Sequence, residues 1–166
     1  MLLDNMFMHG VICLRILVFS DSHGQYLPMK KAIEAQPQAE AVIFLGDGFR
    51  DFEYCKQFIG DKHIYSVKGN NDFHCEYPLR QTIVEGNENI YITHGHYEYV
   101  KSSLSGLLIK ARESNCRIAL YGHTHRQQTD YYDGIHIFCP GALYNDEYGV
   151  IDITDSGIIC IGMKVI

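Results

Sequence analysis

Two histidines separated by one residue, His123 and His125, stand where an apolar run of the sequence ends. Residues 118–120 have the composition of a short buried strand, and Gly122 lets the chain turn sharply after them. In an extended chain, side chains at positions i and i+2 project to the same side. Neutral imidazole is a frequent ligand of divalent transition metals, so the pair indicates either a metal site or two ordinary loop histidines.

Four further apolar runs also end in carboxylate, amide or imidazole side chains. Ligands of parallel α/β sheets bind outside the carboxyl ends of the strands, so five such loops can meet in one crevice. Each residue by itself is more typical of a turn or of a hydrogen-bonded loop histidine. Together they predict one site with oxygen and nitrogen ligands. The candidate ligands are Asp21, His23, Asp47, Asn70, His94, His123 and His125.

The elements that must position these loops alternate between strand and helix in the first half of the chain. Their order is typical of a largely parallel sheet covered by helices. The second half predicts a hairpin, a helix, one more strand and a tail of antiparallel strands. The predicted strands are 14–19, 41–45, 63–67, 81–84, 89–92, 117–121, 129–132, 135–138, 148–153 and 158–163, and the predicted helices are 27–35, 51–59 and 104–113.

Length and composition set the broad class. The 166 residues predict a single domain over 14–166, with 1–13 as an N-terminal extension of unknown role. A net charge of -6 without a lysine or arginine run argues against nucleic-acid or membrane-surface binding by bulk charge. The six cysteines form no C-x-x-C pair, which favours a reducing cytoplasm. No run approaches the ~20 apolar residues that span a bilayer. The sequence does not decide whether the protein forms a homo-oligomer.

In order and spacing, the motifs D-x-H, G-D, G-N, H-G-H and G-H-T-H resemble those of the calcineurin-like metallophosphoesterases, specifically the small bacterial and archaeal phosphodiesterases. The resemblance runs from Ile16 to about Leu143. It includes the turn C-P-G-A at 139–142, which is similar to the N-P-G-S turn of many members, although Cys139 replaces the usual asparagine. The resemblance implies an α/β fold with four layers, an α-β-β-α sandwich of two mixed β-sheets flanked by helices.

The resemblance also implies two divalent transition-metal ions. The first ion would be held by Asp21, His23, Asp47 and His125, and the second by Asp47, Asn70, His94 and His123, with Asp47 shared. Ligands without thiolate favour Mn, with Ni, Co, Fe or Zn as alternatives, and four imidazoles argue against Mg or Ca. The implied reaction is hydrolysis of a small phosphoester substrate, a diester by preference, by a hydroxide that bridges the two ions.

One position departs from the family pattern. Many members read G-N-H-D or G-N-H-E at the third motif, but here Asn71 replaces the histidine. An amide cannot serve as a general acid, so either the leaving group must be good or His96, Asp72 or His74 takes over. Besides Asn70, the candidate catalytic residues are therefore His96 and Asp72. His96 has a second interpretation, as a group that orients a metal ligand.

Two other functions are compatible with the same motifs. A phosphomonoesterase would use the same dimetal core. A non-catalytic scaffold is the second alternative, because the family includes vacuolar sorting protein 29, a subunit of a sorting coat. Loss of metal-ligand residues is typical of such a scaffold, whereas all the predicted ligand positions are intact here.

Overall fold

The computed structural model describes residues 14–166, so the predicted extension 1–13 lies outside the described residues. None of the helices in the described part is long and apolar enough to cross a membrane. In chain order the elements are β1 (Leu14–Phe19), α1 (Tyr26–Ala35), β2 (Ala41–Phe44), α2 (Phe49–Cys55), β3 (His63–Ser66), β4 (Arg80–Glu85), β5 (Glu88–Thr93), α3 (Ser105–Glu113), β6 (Ile118–Leu120), β7 (Gln127–Tyr132), β8 (Ile135–Pro140), β9 (Glu147–Thr154) and β10 (Gly157–Lys164).

The ten strands form two five-stranded sheets, each with parallel and antiparallel pairs. The first sheet has the order β10-β9-β1-β2-β3, with β1, β2 and β3 parallel and β9 antiparallel to β1 and β10. The second has the order β4-β5-β6-β8-β7, with β5, β6 and β8 parallel and antiparallel strands at both edges. Both sheets are therefore mixed, as the resemblance implied.

Alternate side chains of β1 face two different cores. Ile16 and Val18 are fully buried between the two sheets. Leu17 and Phe19 are fully buried on the other face, where they pack with α1 residues such as Met29. Successive side chains of a strand point to opposite faces, so one apolar run supplies both cores.

The second sheet is built in the same way. Ile118 and Leu120 of β6 face the core between the sheets. Ala119 faces outward and packs with Leu107 and Ala111 of α3. The layers are thus α1 and α2, the first sheet, the second sheet, and α3. This arrangement confirms the predicted α-β-β-α sandwich.

The hairpins were predicted correctly. The predicted loop between β4 and β5 is a two-residue turn, Gly86-Asn87, and both residues have positive φ (56° and 63°), as a type I′ turn requires. The tail forms two antiparallel hairpins, β7 with β8 and β9 with β10. The two hairpins belong to different sheets, because β9 pairs with β1.

The helix predicted at 51–59 has different bounds. It begins at Phe49 and ends at Cys55, and a 3-10 turn over Lys56–Phe58 follows. Its early start has a cause outside the helix. A carboxylate oxygen of Asp72, on the loop after β3, accepts the N–H groups of Gly48 at 2.8 Å and Phe49 at 3.0 Å. These are N–H groups that a helix start leaves without an internal partner.

Candidate metal centre

The loops after β1, β2 and β6 are joined by hydrogen bonds. The backbone N–H of Asp21 donates to Gly46 O at 2.9 Å, and that of His23 donates to Asp47 O at 3.2 Å. Across the two sheets, the N–H of His123 donates to Asp21 Oδ2 at 3.0 Å. Side chains from both sheets therefore meet at one edge of the sandwich, as expected for the carboxyl ends of parallel strands.

The close approach of the two sheets requires a glycine at position 122. A Cβ atom at Gly122 would collide with Ser20 Oγ and would lie 2.9 Å from Asp21 Oδ2. Both atoms belong to the loop after β1, so a larger residue at position 122 would push the loop after β6 away from it. Gly122 thus allows the histidine loop of the second sheet to reach the carboxylate of the first.

Among residues 14–166, two groups of acidic and imidazole side chains are placed so that each could hold a metal ion. The first, here called the outer group, consists of Asp21, His23 and His125. Asp21 Oδ1 lies 3.0 Å from His125 Nε2 and 3.6 Å from His23 Nε2. The two Nε2 atoms are 3.2 Å apart. Two imidazole nitrogens and a carboxylate oxygen that point at one place are typical ligands of a divalent transition metal.

The second, here called the inner group, consists of Asp21, Asp47 and His94, which are all buried. His94 Nε2 lies 3.5 Å from Asp47 Oδ2 and 4.0 Å from Asp21 Oδ1. His94 Nδ1 lies 2.8 Å from Leu45 O, which can only accept, so Nδ1 carries the proton and Nε2 keeps its lone pair for the site. Asn70 Oδ1 lies 3.1 Å from the same Nε2.

The carboxylate of Asp21 shows that the site fits a cation. Its Oδ2 accepts hydrogen bonds from Ser20 Oγ at 2.5 Å and from His123 N. Its Oδ1 is buried and has no hydrogen-bond partner among residues 14–166. Burial raises the pKa of Asp21, but contacts with His23 and His94 among others outweigh burial and hold the pKa below its usual range. A buried, ionised oxygen without a donor is costly unless a cation compensates it.

His123 lies beside the inner group, with its ring centroid 5.0 Å from that of His94. Burial lowers the pKa of His123 to about 4, which leaves the ring neutral and able to bind a metal near pH 7. The nearby Asp21 carboxylate instead raises the pKa of His23. Asp21 belongs to both groups and Asp47 to the inner group alone. The role of Asp47 as the shared ligand stays a prediction.

Many of the candidate ligands sit in a strained backbone conformation. Left-handed φ values for residues other than glycine cost on the order of 1 kcal/mol or more each and concentrate at functional sites. No signal in the sequence predicts them. The residues and angles are Asp21 (55°), His23 (45°), Asp47 (60°), His123 (68°) and His125 (57°).

Comparison with known proteins identifies the family. The family model of the calcineurin-like phosphoesterase superfamily domain matches residues 14–155. The chain belongs to this superfamily. Among curated proteins, the probable metallophosphoesterase YsnB of Bacillus subtilis is 25% identical over 130 residues, which cover 78% of this chain and 75% of that protein. The resemblance drawn from the motifs is confirmed, and by family the chain is a metallophosphoesterase.

Solved structures of the superfamily share the fold. A conserved uncharacterized protein from Streptococcus pneumoniae, described as a predicted phosphoesterase, is 28% identical with a TM-score of 0.80, over 92% of this chain and 90% of that one. An archaeal phosphodiesterase is 20% identical with a TM-score of 0.72, over 90% and 100% of the two chains. Wild-type Vps29 of Entamoeba histolytica, complexed with zinc, is 18% identical with a TM-score of 0.69, over 92% and 100%.

Asp72 has surroundings that differ from those of a general acid. Besides the N–H groups of Gly48 and Phe49, it accepts those of Asp47 at 2.7 Å and Gly69 at 2.8 Å. Four backbone N–H groups thus donate to its two carboxylate oxygens. The side chain is also buried and holds together the loops after β2 and β3. These contacts favour a positioning role, and the acid role suggested by the sequence stays a prediction.

Two further contacts were not predicted from the sequence. Asn71 donates to Asp47 twice, from its backbone N to Oδ1 at 2.8 Å and from Nδ2 to Oδ2 at 2.6 Å. Asp51 Oδ2 accepts from Ser22 Oγ at 2.5 Å and from Gly24 N at 2.8 Å, and so fixes the loop after β1. An acidic residue in the first turn of a helix is a common sequence signal, but its partners lie on another loop.

His96 lies close to the centre. Its ring centroid is 5.5 Å from that of His94 and 6.2 Å from that of His123. In the described part of the chain its Nδ1 is buried without a hydrogen-bond partner, and burial lowers the pKa of His96. Its two roles suggested by the sequence, general acid and group that orients a metal ligand, both stay predictions.

Proposed function

We propose that this protein is a dimetal phosphodiesterase that hydrolyses small phosphoester substrates. The observation that carries the proposal is the position of Asp21 Oδ1. Among residues 14–166 this buried oxygen has no hydrogen-bond partner, and it lies within 4.0 Å of the Nε2 atoms of His23, His94 and His125. A carboxylate oxygen surrounded by three imidazole nitrogens is a donor set that suits a divalent transition metal.

The ligand assignment follows the family pattern. One ion would be held by Asp21, His23, Asp47 and His125, and the other by Asp47, Asn70, His94 and His123. Nitrogen ligands without thiolate support Mn, with Ni, Co, Fe or Zn as alternatives. Two such ions would lower the pKa of a bound water to supply the nucleophile and would neutralise charge that develops on the phosphate.

The protein's own side chains orient the ligands. Ser20 holds Asp21 Oδ2, so that Oδ1 faces the site. We assign Asp72 a positioning role, because it fixes the backbone of Asp47 and of the loop after β3. Partners of this kind set the orientation and basicity of metal ligands.

Departure of the leaving group receives little help from the protein. Asn71 cannot donate a proton at neutral pH, and its side chain is already bonded to Asp47. His96 is our candidate for protonating the leaving group, but its lowered pKa leaves a small protonated fraction near pH 7. The enzyme therefore favours diesters with good leaving groups.

The five cysteines in the described residues are free thiols, which supports the cytoplasm as the proposed location.

One experiment separates the candidate functions. Protein purified without chelator is analysed for metal, and kcat/KM is then measured on bis(4-nitrophenyl) phosphate and on 4-nitrophenyl phosphate, which share a leaving group. We expect two ions per chain and a higher kcat/KM on the diester. A higher value on the monoester would instead indicate a phosphomonoesterase.

The scaffold alternative rests on the Vps29 neighbours. One of these structures contains zinc, so metal binding alone does not distinguish an enzyme from a scaffold. Turnover does. Metal-loaded protein that hydrolyses neither ester, nor any other member of a phosphoester panel, would overturn the enzyme proposal.

A further inference from the structure

A cleft of about 400 Å³ opens directly beside the candidate metal ligands. His23 and Asp47 line the part that adjoins the metal centre. Phe49 and Arg50, at the start of α2, and Phe73, on the loop after β3, line another part. A phosphodiester whose phosphate lies at the metal centre therefore has room in this cleft for one of its two ester groups.

Arg50 gives the cleft a positive charge that is available to a ligand. Within residues 14–166 it forms no ion pair, and its guanidinium lies 5.9 Å from the centroid of the Phe49 ring. The acidic side chains Asp51 and Asp72 also line the cleft. They are already engaged, Asp51 with Ser22 and Gly24 and Asp72 with backbone N–H groups. An exposed guanidinium without a carboxylate partner suits a phosphate or carboxylate group of the ligand.

Phe73 supplies an aromatic surface at the same cleft. Its side chain is 71% exposed, which is high for a phenylalanine. Its ring therefore has a free face, and Phe49 lies in the lining of the same cleft. Aromatic faces of this kind stack with flat rings such as nucleobases.

We propose that Arg50 and Phe73 select phosphodiesters in which the group that occupies the cleft carries both a flat aromatic ring and a second anionic group, as a nucleoside bisphosphate does. This inference rests on the proposed phosphodiesterase function. Arg50 binds the second anion, and Phe73 stacks with the ring. The two residues act on substrate selection and not on the chemical step.

The first test measures binding without turnover. Calorimetric titration of the Mn-loaded protein compares thymidine 3′,5′-bisphosphate with thymidine 5′-phosphate, which differ by one phosphate. We expect the bisphosphate to bind about tenfold more tightly, as for a charge-assisted hydrogen bond to an arginine. In Arg50→Ala the two affinities should become equal, and Arg50→Lys should retain part of the difference. Equal affinities in the wild type, or a difference that survives Arg50→Ala, would overturn the role of Arg50.

A matched control uses a second exposed arginine. Arg126 directly follows the candidate ligand His125 but does not line the cleft. Arg126→Ala should leave the ratio of the two affinities unchanged, since the effect depends on position and not on net charge. Loss of the ratio in Arg126→Ala as well would attribute the preference to long-range charge, against the proposal.

The role of Phe73 is tested in the same way. Phe73→Ala should weaken binding of thymidine 5′-phosphate several-fold and leave binding of methyl phosphate, which has no ring, unchanged. Phe73→Tyr should keep the wild-type affinity. Tyr99, 74% exposed and outside the cleft, provides the control Tyr99→Ala, which should change neither affinity. Equal losses for both ligands in Phe73→Ala would contradict stacking.

The second test uses turnover and separates this inference from the proposed function. The 4-nitrophenyl esters on the 5′-phosphate of the same two thymidine compounds share a leaving group, and kcat/KM should favour the bisphosphate by about the ratio found in binding. If the wild type hydrolyses bis(4-nitrophenyl) phosphate but does not discriminate between the thymidine pair, the inference fails alone. If it discriminates in binding but hydrolyses no ester, the proposed function fails and the cleft assignment stands.

Discussion

The outer and inner groups share Asp21 but differ in their surroundings. In the outer group the side chains of His23 and His125 are 29% and 40% exposed. In the inner group those of His94 and Asp47 are 0% and 2% exposed. Charge interactions are stronger where water is excluded, so we expect the inner group to bind a metal ion more tightly and the outer group to be the more accessible of the two.

The second difference is how firmly each ring is fixed. Leu45 O holds the His94 ring through Nδ1. In the part of the chain that the structure describes, neither His23 nor His125 has such a hydrogen bond to a carbonyl group. The outer group instead depends on the loop that Asp51 fixes. A preorganised inner group and an adjustable outer group suit a site that substrate enters from the outer side, and the cleft is lined by His23 of the outer group and Asp47 of the inner group.

The largest effect is expected from removing metal altogether. EDTA should abolish hydrolysis of bis(4-nitrophenyl) phosphate, and Mn, Ni or Co should restore it better than Mg, because imidazole prefers transition metals. A graded chelator titration followed by metal analysis should remove one ion per chain before the other. Full activity in metal-free protein would contradict the dimetal proposal, and simultaneous loss of both ions would contradict the difference between the groups.

The second largest effect is expected from replacing the carboxylate that binds both ions, and comparison of Asp47→Ala with Asp21→Ala identifies that carboxylate. Asp47→Ala should release both ions and reduce kcat/KM by more than the roughly 100-fold that loss of an outer-shell partner costs, because the family pattern makes Asp47 the shared ligand. Asp21→Ala should release the outer ion and retain the inner one. Metal content and anomalous scattering measure the occupancies. The reverse result, with both ions lost in Asp21→Ala only, would make Asp21 the shared ligand.

A smaller effect concerns the leaving group. In a series of aryl phosphodiesters, the rate of the wild type should depend steeply on the pKa of the leaving group, since Asn71 gives no acid assistance. Asn71→His should flatten this dependence and accelerate the poorest leaving groups by about 100-fold, the lower end of general acid catalysis. Asn71→Ala controls for the lost side-chain hydrogen bond to Asp47, and His96→Ala controls for a substitute acid. A shallow wild-type slope that steepens in His96→Ala would show that His96 already acts as the acid.

The smallest effect is expected from Asp51→Ala, which should change only the outer group. Asp51→Ala should weaken binding of the outer ion about tenfold and leave the inner ion unchanged, because only the loop after β1 loses its support. Glu53→Ala is the matched control, since Glu53 lies on the same helix and pairs with Lys56 at the surface. Titration with Mn, followed by calorimetry, gives both constants. Equal weakening of both ions would mean that the two groups are not independently supported.

Local patterns were sufficient for much of the fold. The run at 14–19 and the hairpin turn at 86–87 are properties of neighbouring residues, and both were predicted within a residue or two of their observed bounds. The placement of the tail was not predictable in the same way. Pairing of β9 with β1 joins residues that are far apart in the chain. The alternation of apolar side chains along a strand does not specify which other strand it pairs with.

The sequence by itself determined which side chains are available as ligands and that they follow strand ends, because strand periodicity and residue chemistry are local. Only the tertiary structure decided that Asp21 Oδ1 lies among three imidazoles, that Asp72 accepts four backbone N–H groups, and that Arg50 has no acidic partner among residues 14–166. Each of these depends on which loops come together when the two sheets pack. A carboxylate binds whatever donor the fold brings near it, and that choice is made by packing and not by its neighbours in the chain.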